Sequence, residues 1–231
     1  MHAGNVVEAS LESQLDAIRA AVAEPGREGP VLLVEPSDNI GGGAPGDGIS
    51  LLRHMLHEGA AGGADAVVVI DDATSAALLH ERTSGQTCTL TLGGRESSLS
   101  DDPLTLEVEV LSLSDGEFDL ENPNSHLASM VGLHVSMGLC ATVRTCENPA
   151  LRIIVTSKKT APFDLGQLRS QGIIPEKCDV IAVKAAVAHR AAYDPITSHS
   201  FTVATPGPCA SDLRTMPFKH VRRPLFPLDE L

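Results

Sequence analysis

Apolar residues recur every three or four positions between residues 11 and 22. This spacing places one apolar stripe on a helix of 3.6 residues per turn. It predicts a helix over residues 10–23, with Ser10 or Ser13 as the N-cap and the Pro-Gly pair at 25–26 as its end.

Short apolar runs without alternation predict strands that are covered on both faces. They are GPVLLVEP at 29–36, ADAVVVID at 64–71 and CDVIAVKAA at 178–186. A helical pattern from about Ile49 to His57 separates the first two runs, which favours a strand–helix–strand unit with parallel strands. Asp71, Asp72 and Thr74 can each cap a helix that follows the second run.

Between residues 87 and 156 the pattern changes to alternating apolar and polar positions. The segments TCTLTLGG, LTLEVEVLSLSDGEFDL, LCATVRT and LRIIVTS indicate antiparallel strands, and Asp115-Gly116 and Asn148-Pro149 supply turns. Helical spacing resumes over residues 164–171 and again before Tyr193, and a proline-rich tail follows.

These patterns predict an α/β fold of parallel-type strand–helix units with an inserted antiparallel sheet or small barrel. We expect one domain over residues 1–231. Its parts are a strand–glycine loop–helix–strand–helix unit at 31–86, an antiparallel insertion at 87–156, a helix–strand–helix unit at 157–204 and an extended tail at 205–231.

Composition narrows the classes of function. The formal net charge of -13 and the aromatic content of 3% disfavour binding to nucleic acid or to an anionic membrane surface. The five cysteines are odd in number and form no C-x-x-C pair, which favours a reducing compartment. No segment has the length of a membrane span or the pattern of an export signal, so the expected location is the cytoplasm.

The segment LVEPSDNIGGGAPGDGISLLRHML at 33–56 runs from a strand through a glycine cluster into a helix. Glycine is selected where φ is positive or where a ligand approaches the backbone closely. The loop also leads into a helix N-terminus, which favours an anion such as a carboxylate or phosphate. The alternative is that the glycines only turn the chain, with Asp47 as the helix N-cap.

Gly41, Gly43 and Gly46 also satisfy the G-x-G-x-x-G pattern of a dinucleotide site. Pro45 and Gly48 weaken the helix that should begin inside that pattern. The next acids that end a strand also lie farther along than the usual ~20 residues. Neither a Gly-Lys-Ser/Thr P-loop nor a G-x-S-x-G nucleophile elbow is present.

Metal ligation has weaker support in the sequence. His54 and His57 stand three residues apart on one helix, beside Glu58, but the H-E-x-x-H spacing is absent. A helix-surface role is the more common outcome for such a pair. Asp38 and Asn39 form the best polar pair, because ligands of α/β sheets gather at the carboxyl ends of strands. Their alternative role is an Asx-turn that organises the loop.

Four segments together resemble the C-terminal region of the MlrC family, the microcystin-degradation type of metallopeptidase. They are EPSDNIGGGAPGDGISLLRHML, IIVTSKKTAPFDLGQLRSQGI, CDVIAVKAAVAHRAAYDPI and TPGPCASDLRTMPF followed by RRPLFPLD. The resemblance runs from about Leu11 to Asp229, and the glycine loop is its most specific part.

The resemblance implies a two-part architecture. In that family an N-terminal region supplies the zinc ligands and acid–base groups, and the C-terminal region completes the cleft for amide hydrolysis of small or linearised peptides. The zinc-bearing region has no counterpart in this sequence. The segment KAAVAHR at 184–190 also departs from the family pattern Lys-Ser-x-x-His-Phe-Arg: Ala185 and Ala188 replace the Ser and His, and His189 takes the Phe position.

We therefore expect the C-terminal, cleft-completing domain of an MlrC-like zinc metallopeptidase, with no catalytic or metal-binding residue of its own. Whether the chain alone is an enzyme stays open. Expected partners are a zinc-bearing N-terminal half or a second copy, and the expected ligand is a small peptide or carboxylate. The residues expected to bind substrate are Asp38, Asn39, Gly41, Gly42, Gly43, Asp47, Lys184 and Arg190.

Two alternatives belong to other classes of protein. The first is a non-enzymatic binding or assembly subunit that pairs with a separate zinc-bearing half. The second is a nucleotide-binding domain that uses the glycine loop. A chain that folds without any function of its own is the remaining possibility.

Overall fold

The computed structural model describes residues 7–57 and 63–229. The helices are α1 (Leu11–Val22), α2 (Ser50–His57), α3 (Ala73–His80), α4 (His126–Val131), α5 (Gly166–Arg169) and α6 (Arg190–Tyr193). The strands are β1 (Ala9–Ser10), β2 (Val31–Val34), β3 (Ala66–Asp71), β4 (Thr87–Leu92), β5 (Leu104–Ser114), β6 (Glu117–Asp119), β7 (His134–Ser136), β8 (Cys140–Thr145), β9 (Leu151–Thr156), β10 (Val180–Val183) and β11 (His199–Ala204). No described helix combines the length and apolarity that a membrane crossing requires.

Nine of the described strands form one sheet in the order β1-β11-β2-β10-β3-β9-β8-β5-β4. The strands from β1 to β9 in this order are parallel neighbours, and β8, β5 and β4 continue the sheet in antiparallel fashion. Strands β6 and β7 form a separate antiparallel pair. The predicted α/β class with parallel and antiparallel sections is confirmed. Most of the antiparallel section extends the main sheet, because β9 pairs with β3 on one side and β8 on the other.

The apolar run of β2 is buried on both faces of the sheet. Val31 and Leu33 lie in the core on the side of α1, α2 and α3, whereas Leu32 and Val34 lie in the core on the side of α5, α6 and the β6–β7 pair. Because successive side chains of a strand alternate between faces, a strand covered on both sides must be apolar throughout. This covering explains why the run shows no alternation.

The helix boundaries follow local capping chemistry. Ser10 accepts a hydrogen bond from the Ser13 N–H and caps α1, as one of the two predicted alternatives. Asp72 accepts from the Ser75 N–H and caps α3. Strand β11 was not predicted; it lies beside β2, where Phe201 pairs with Leu33. Most residues of β11 are only partly buried, so its sequence HSFTVA carries a weak apolar pattern.

Candidate functional site

A cleft of about 500 Å³ opens at the carboxyl edge of the main sheet. Because parallel strands end at the same edge, the segments that follow β2, β10 and β9 meet there. These segments are residues 39–41, 186–188 and 158–163, and α4 with β7 forms the opposite wall. We call this cavity the main cleft.

The main cleft has an apolar body and a cationic lip. Ile40, Leu127 and Phe163 line its interior, and the exposed Lys158 and Lys159 stand at its edge. Apolar walls with a few polar groups are typical of cavities that bind small molecules or peptides. The two lysines favour an anionic group at that edge.

Two histidines border the main cleft, and both are engaged within the chain. The His126 ring lies 6.3 Å from the Phe163 ring. His134 contacts Glu117 Oε2 and Asp119 Oδ1, each at 2.9 Å. The hydrogen bond to Asp119 raises the pKa of His134 above its usual value. His134 thus ties β7 to β6 through its contacts with Glu117 and Asp119.

Behind the glycine loop lies a buried ionic cluster, in which Lys184 joins two carboxyl groups. Its Nζ donates to Asp38 Oδ2 at 2.7 Å, to Glu35 Oε2 at 3.0 Å and to the Gly48 carbonyl at 2.6 Å. Burial would lower the pKa of Lys184, but the charges of Glu35 and Asp38 outweigh burial and raise it. Burial raises the pKa of Glu35. The cluster holds a lysine ammonium in the interior by charge pairing.

The glycine loop wraps around the carboxylate of Asp38, which accepts hydrogen bonds from two loop N–H groups. Oδ1 accepts from the Gly46 N–H at 2.9 Å, and Oδ2 accepts from the Gly48 N–H at 2.7 Å. A Cβ at Gly48 would lie 2.8 Å from Asp38 Oδ2, and Gly46 has a φ of +86°. Glycine is therefore required at both positions by close approach and by backbone conformation.

Other N–H groups of the loop also bond inside the chain. Ile40 donates to the Lys184 carbonyl, Gly42 to the Asn39 carbonyl, and Gly43 to the Ile40 carbonyl. A phosphate cradle needs N–H groups that point together at the ligand. The glycine loop directs these groups inward, which disfavours the dinucleotide interpretation of the G-x-G-x-x-G spacing.

The N-terminus of α2 is covered by the loop after β4. Ser50, the first residue of α2, is buried and donates its hydroxyl to Asp101 Oδ2 at 2.6 Å. Asp47 does not cap this helix, contrary to one sequence interpretation. Its Oδ2 accepts from the Arg95 and Glu96 N–H groups, at 2.7 and 2.8 Å. The start of this helix is therefore covered by the Asp101 carboxylate, which accepts from the Ser50 hydroxyl.

The predicted substrate-binding residues fall into three groups. Asn39 and Gly41 line the main cleft. Asp38, Asp47 and Lys184 are buried, with the internal partners given above. The rest are exposed and do not line that cleft; they are Gly42, Gly43 and Arg190.

The loop after β9 and the buried Glu35 were not among the predicted site residues. Lys158, Lys159 and Phe163 follow a strand whose carboxyl end lies at the same edge as that of β2. The adjacency of the Lys-Lys pair to a predicted strand end was the signal available for them. Glu35 had a weaker signal, since a single acid after an apolar run is common on a surface.

The segment after β10 contributes backbone and small side chains to the main cleft. Ala188, at the family's His position, lines the cleft, and Ala185 is buried. His189 is buried instead, with its ring 6.4 Å from the Tyr193 ring. Burial lowers the pKa of His189. The histidine of this segment thus packs in the core while alanine stands in the cleft.

The described residues do not fit a zinc centre. No three side chains of His, Cys, Asp or Glu within 7–57 and 63–229 are grouped to hold a metal ion. His54 Nδ1 lies 2.8 Å from the Ser50 carbonyl and its Nε2 lies 3.3 Å from Glu12 Oε1. The side chain of His57 and the whole of Glu58 lie outside the described residues.

Fold and cleft together define a mixed α/β domain with a cavity at the carboxyl edge of its sheet. The chain belongs to the MlrC C-terminus family, whose profile matches residues 33–220. It is 27% identical over 227 residues to Microcystinase C from Sphingomonas sp., covering 98% of this chain and 40% of that protein. The predicted membership of the MlrC family is confirmed.

A solved structure shares the fold. The crystal structure of a candidate metallopeptidase from Mesorhizobium sp. BNC1 has a TM-score of 0.79 and 23% identity, and the match covers 98% of this chain and 42% of that chain. This chain thus spans about two fifths of the length of both relatives.

Proposed function

We propose that this chain is the cleft-completing C-terminal domain of an MlrC-like zinc metallopeptidase that hydrolyses amide bonds in small peptides. The observation that supports this role most is the main cleft, which combines an apolar body with a cationic lip and contains no grouped metal ligands among its described residues. Such a cleft can position a peptide, while the zinc and its activated water belong to another region.

The rim of the main cleft supports a partner at this surface. Met130, Val131 and Val187 are 60%, 52% and 64% exposed and lie around the opening. Exposed apolar side chains concentrated at one opening mark an interaction surface more often than a free one. We assign this rim to the zinc-bearing N-terminal half, because both relatives are more than twice as long as the matched region.

In this role the chain's own residues bind and orient the substrate. Lys158 and Lys159 attract a peptide carboxylate, and Phe163 with Ile40 packs against an apolar side chain. Holding the peptide in place lowers the entropic cost of reaching the reactive geometry. Zinc, when bound by the other half, would polarise the carbonyl or activate water.

The first test is elemental analysis of the purified chain after equilibration with zinc and removal of any affinity tag. We expect no retained zinc, because the described side chains offer no three-ligand group. About one tightly held zinc per chain would contradict the assignment of the metal to the other half.

The second test is a calorimetric titration with acetyl-Leu-Leu, which has a carboxylate and no ammonium group. We expect saturable binding that Lys158→Gln weakens about two- to fivefold, as for an exposed ion pair. Lys177→Gln, an exposed lysine outside the main cleft, is the matched control. Equal binding of acetyl-Leu-Leu amide would contradict recognition of the carboxylate.

A further inference from the structure

A second cavity lies on the other side of the glycine loop from the main cleft. It has a volume of about 350 Å³, and its charged lining residues are Asp47, Asp71, Asp72, Arg95, Glu96 and Lys159. We call it the acidic pocket. Lys159 borders both cavities, and the glycine loop separates them, with Gly41 on one side and Pro45 on the other.

Two of these charges neutralise each other inside the protein. Arg95 pairs with Asp72 and also donates to the Thr91 carbonyl. Asp72 additionally accepts from the N–H groups of Ser75 and Gly93, both at 2.9 Å. The Asp72–Arg95 pair is therefore complete without a ligand.

The remaining charges are unbalanced. Asp47, Asp71 and Glu96 face a single ammonium, that of Lys159, which also donates to the Ala44 carbonyl at 3.3 Å. Like charges grouped at a partly desolvated surface attract a mobile cation. The acidic pocket thus carries an excess of negative charge that the described side chains do not neutralise.

Asp47 shows, independently of the charge count, that a hydrogen-bond donor is missing. The residue is only 2% exposed, and its Oδ2 has two backbone donors. Its Oδ1 is buried and has no hydrogen-bond donor within the described part of the chain. A buried charged acceptor without a donor is costly, so most such atoms are paired in folded proteins.

Asp71, at the end of β3, lines the same pocket as Asp47. Its Oδ1 accepts from the Thr156 hydroxyl at 3.1 Å, across the β3–β9 pairing. Burial raises the pKa of Asp71 to about 6, and the neighbouring Asp72 and Asp47 charges add to this effect. The carboxylate is therefore ionised at neutral pH but incompletely stabilised, a state that a cation would relieve.

We propose that the acidic pocket binds a primary ammonium group between the Asp47 and Asp71 carboxylates. An ammonium has three N–H donors and is small enough for the cavity. Asp47 and Asp71 both line the pocket, so an ammonium held there can donate to both carboxylates. A metal ion fits less well, because the described residues contain no group of three suitable ligands.

This inference goes beyond the proposed function and does not depend on it. The ligand class is a primary amine, including the amino terminus or lysine side chain of a peptide. The two cavities then differ in the charge that each selects: the main cleft takes an anionic group and the acidic pocket a cationic one.

The test is a calorimetric titration of the whole chain with n-propylammonium chloride at neutral pH and fixed ionic strength. We expect saturable binding at one site, and at least about tenfold weaker binding in each of Asp47→Asn and Asp71→Asn. Asp16→Asn is the matched control, because it makes the same charge change on the exposed face of α1. Asp71→Asn keeps an oxygen for Thr156 and decides the result if Asp47→Asn does not fold.

Four results would overturn the proposal. The first is an absence of saturable binding, and the second is binding that both pocket variants leave unchanged. The third is equal binding of tetramethylammonium, which has the charge but no N–H donor. A zinc or magnesium ion that displaces n-propylammonium at much lower concentration would reassign the pocket to a metal.

Because n-propylammonium has no carboxylate, this titration can fail while acetyl-Leu-Leu still binds in the main cleft, and the reverse also holds.

Discussion

The glycine loop is anchored at its two ends by aspartates of opposite character. Asp38 and Asp47 are both buried, and each accepts two backbone N–H groups. Asp38 also receives the Lys184 ammonium, whereas Asp47 keeps one oxygen without a donor in the described chain. The first anchor is complete within the fold, and the second is one donor short.

This difference separates a structural role from a binding role for the same type of residue. A buried carboxylate with a charged partner and a full set of donors has no free acceptor position for a ligand. A buried carboxylate with an unfilled acceptor position can still accept a hydrogen bond from a ligand. Burial and residue type alone would rank Asp38 and Asp47 equally as site candidates, and only their partners distinguish them.

The largest effect is expected from removing the cation of the first anchor. Lys184→Met leaves Glu35 and Asp38 buried without their shared ammonium, and should lower the free energy of unfolding by about 3–5 kcal/mol. Urea denaturation followed by circular dichroism measures this change. Lys177→Met, on an exposed residue, should change it by less than about 0.5 kcal/mol. A loss as small as that of the control would show that the cluster does not hold the loop.

A smaller effect should distinguish the two anchors directly. Asp38→Asn removes a charge from Lys184 and places an amide among donors, so we expect a loss of about 2–3 kcal/mol. Asp47→Asn keeps one oxygen for the Arg95 and Glu96 N–H groups and replaces the oxygen that has no donor, so the loss should stay below about 1 kcal/mol. Equal losses in urea denaturation would contradict the distinction.

The sequence pattern predicted the strands and helices around the glycine loop because local apolar spacing determines them. It also placed the loop at the carboxyl end of a strand, where both cavities lie. It could not pair Asp38 with Lys184, which lies 146 residues later in the chain. That pairing depends on β10 lying beside β2, and strand order within a sheet is a tertiary property.

The acidic pocket was beyond prediction for the same reason. Asp47 meets the N–H groups of Arg95 and Glu96 only because the loop after β4 covers the start of α2. Nothing in the spacing of these residues indicates the contact. The family resemblance identified the main cleft's loop but carried no information on which of its carboxylates has a free acceptor.

A change of the opposite sign is expected at Asp71, where a substitution should stabilise the protein. The pKa of Asp71 is about 6 in the folded chain and about 3.8 in the unfolded chain. The folded state therefore binds the proton more tightly. Between these two values the free energy of unfolding therefore falls as pH rises, and the full penalty is present above pH 6. Asp71→Asn removes the penalty while keeping an acceptor for Thr156.

We expect Asp71→Asn to be more stable than the parent chain by about 1–2 kcal/mol at neutral pH, and equal to it below the unfolded pKa. Urea denaturation at several pH values measures the difference. The charged groups that act on Asp71 are Lys159, Asp72 and Asp47, so Asp47→Asn should shrink the gain from Asp71→Asn in the double variant. A gain that is independent of pH would show that packing, rather than excess charge in the acidic pocket, is responsible.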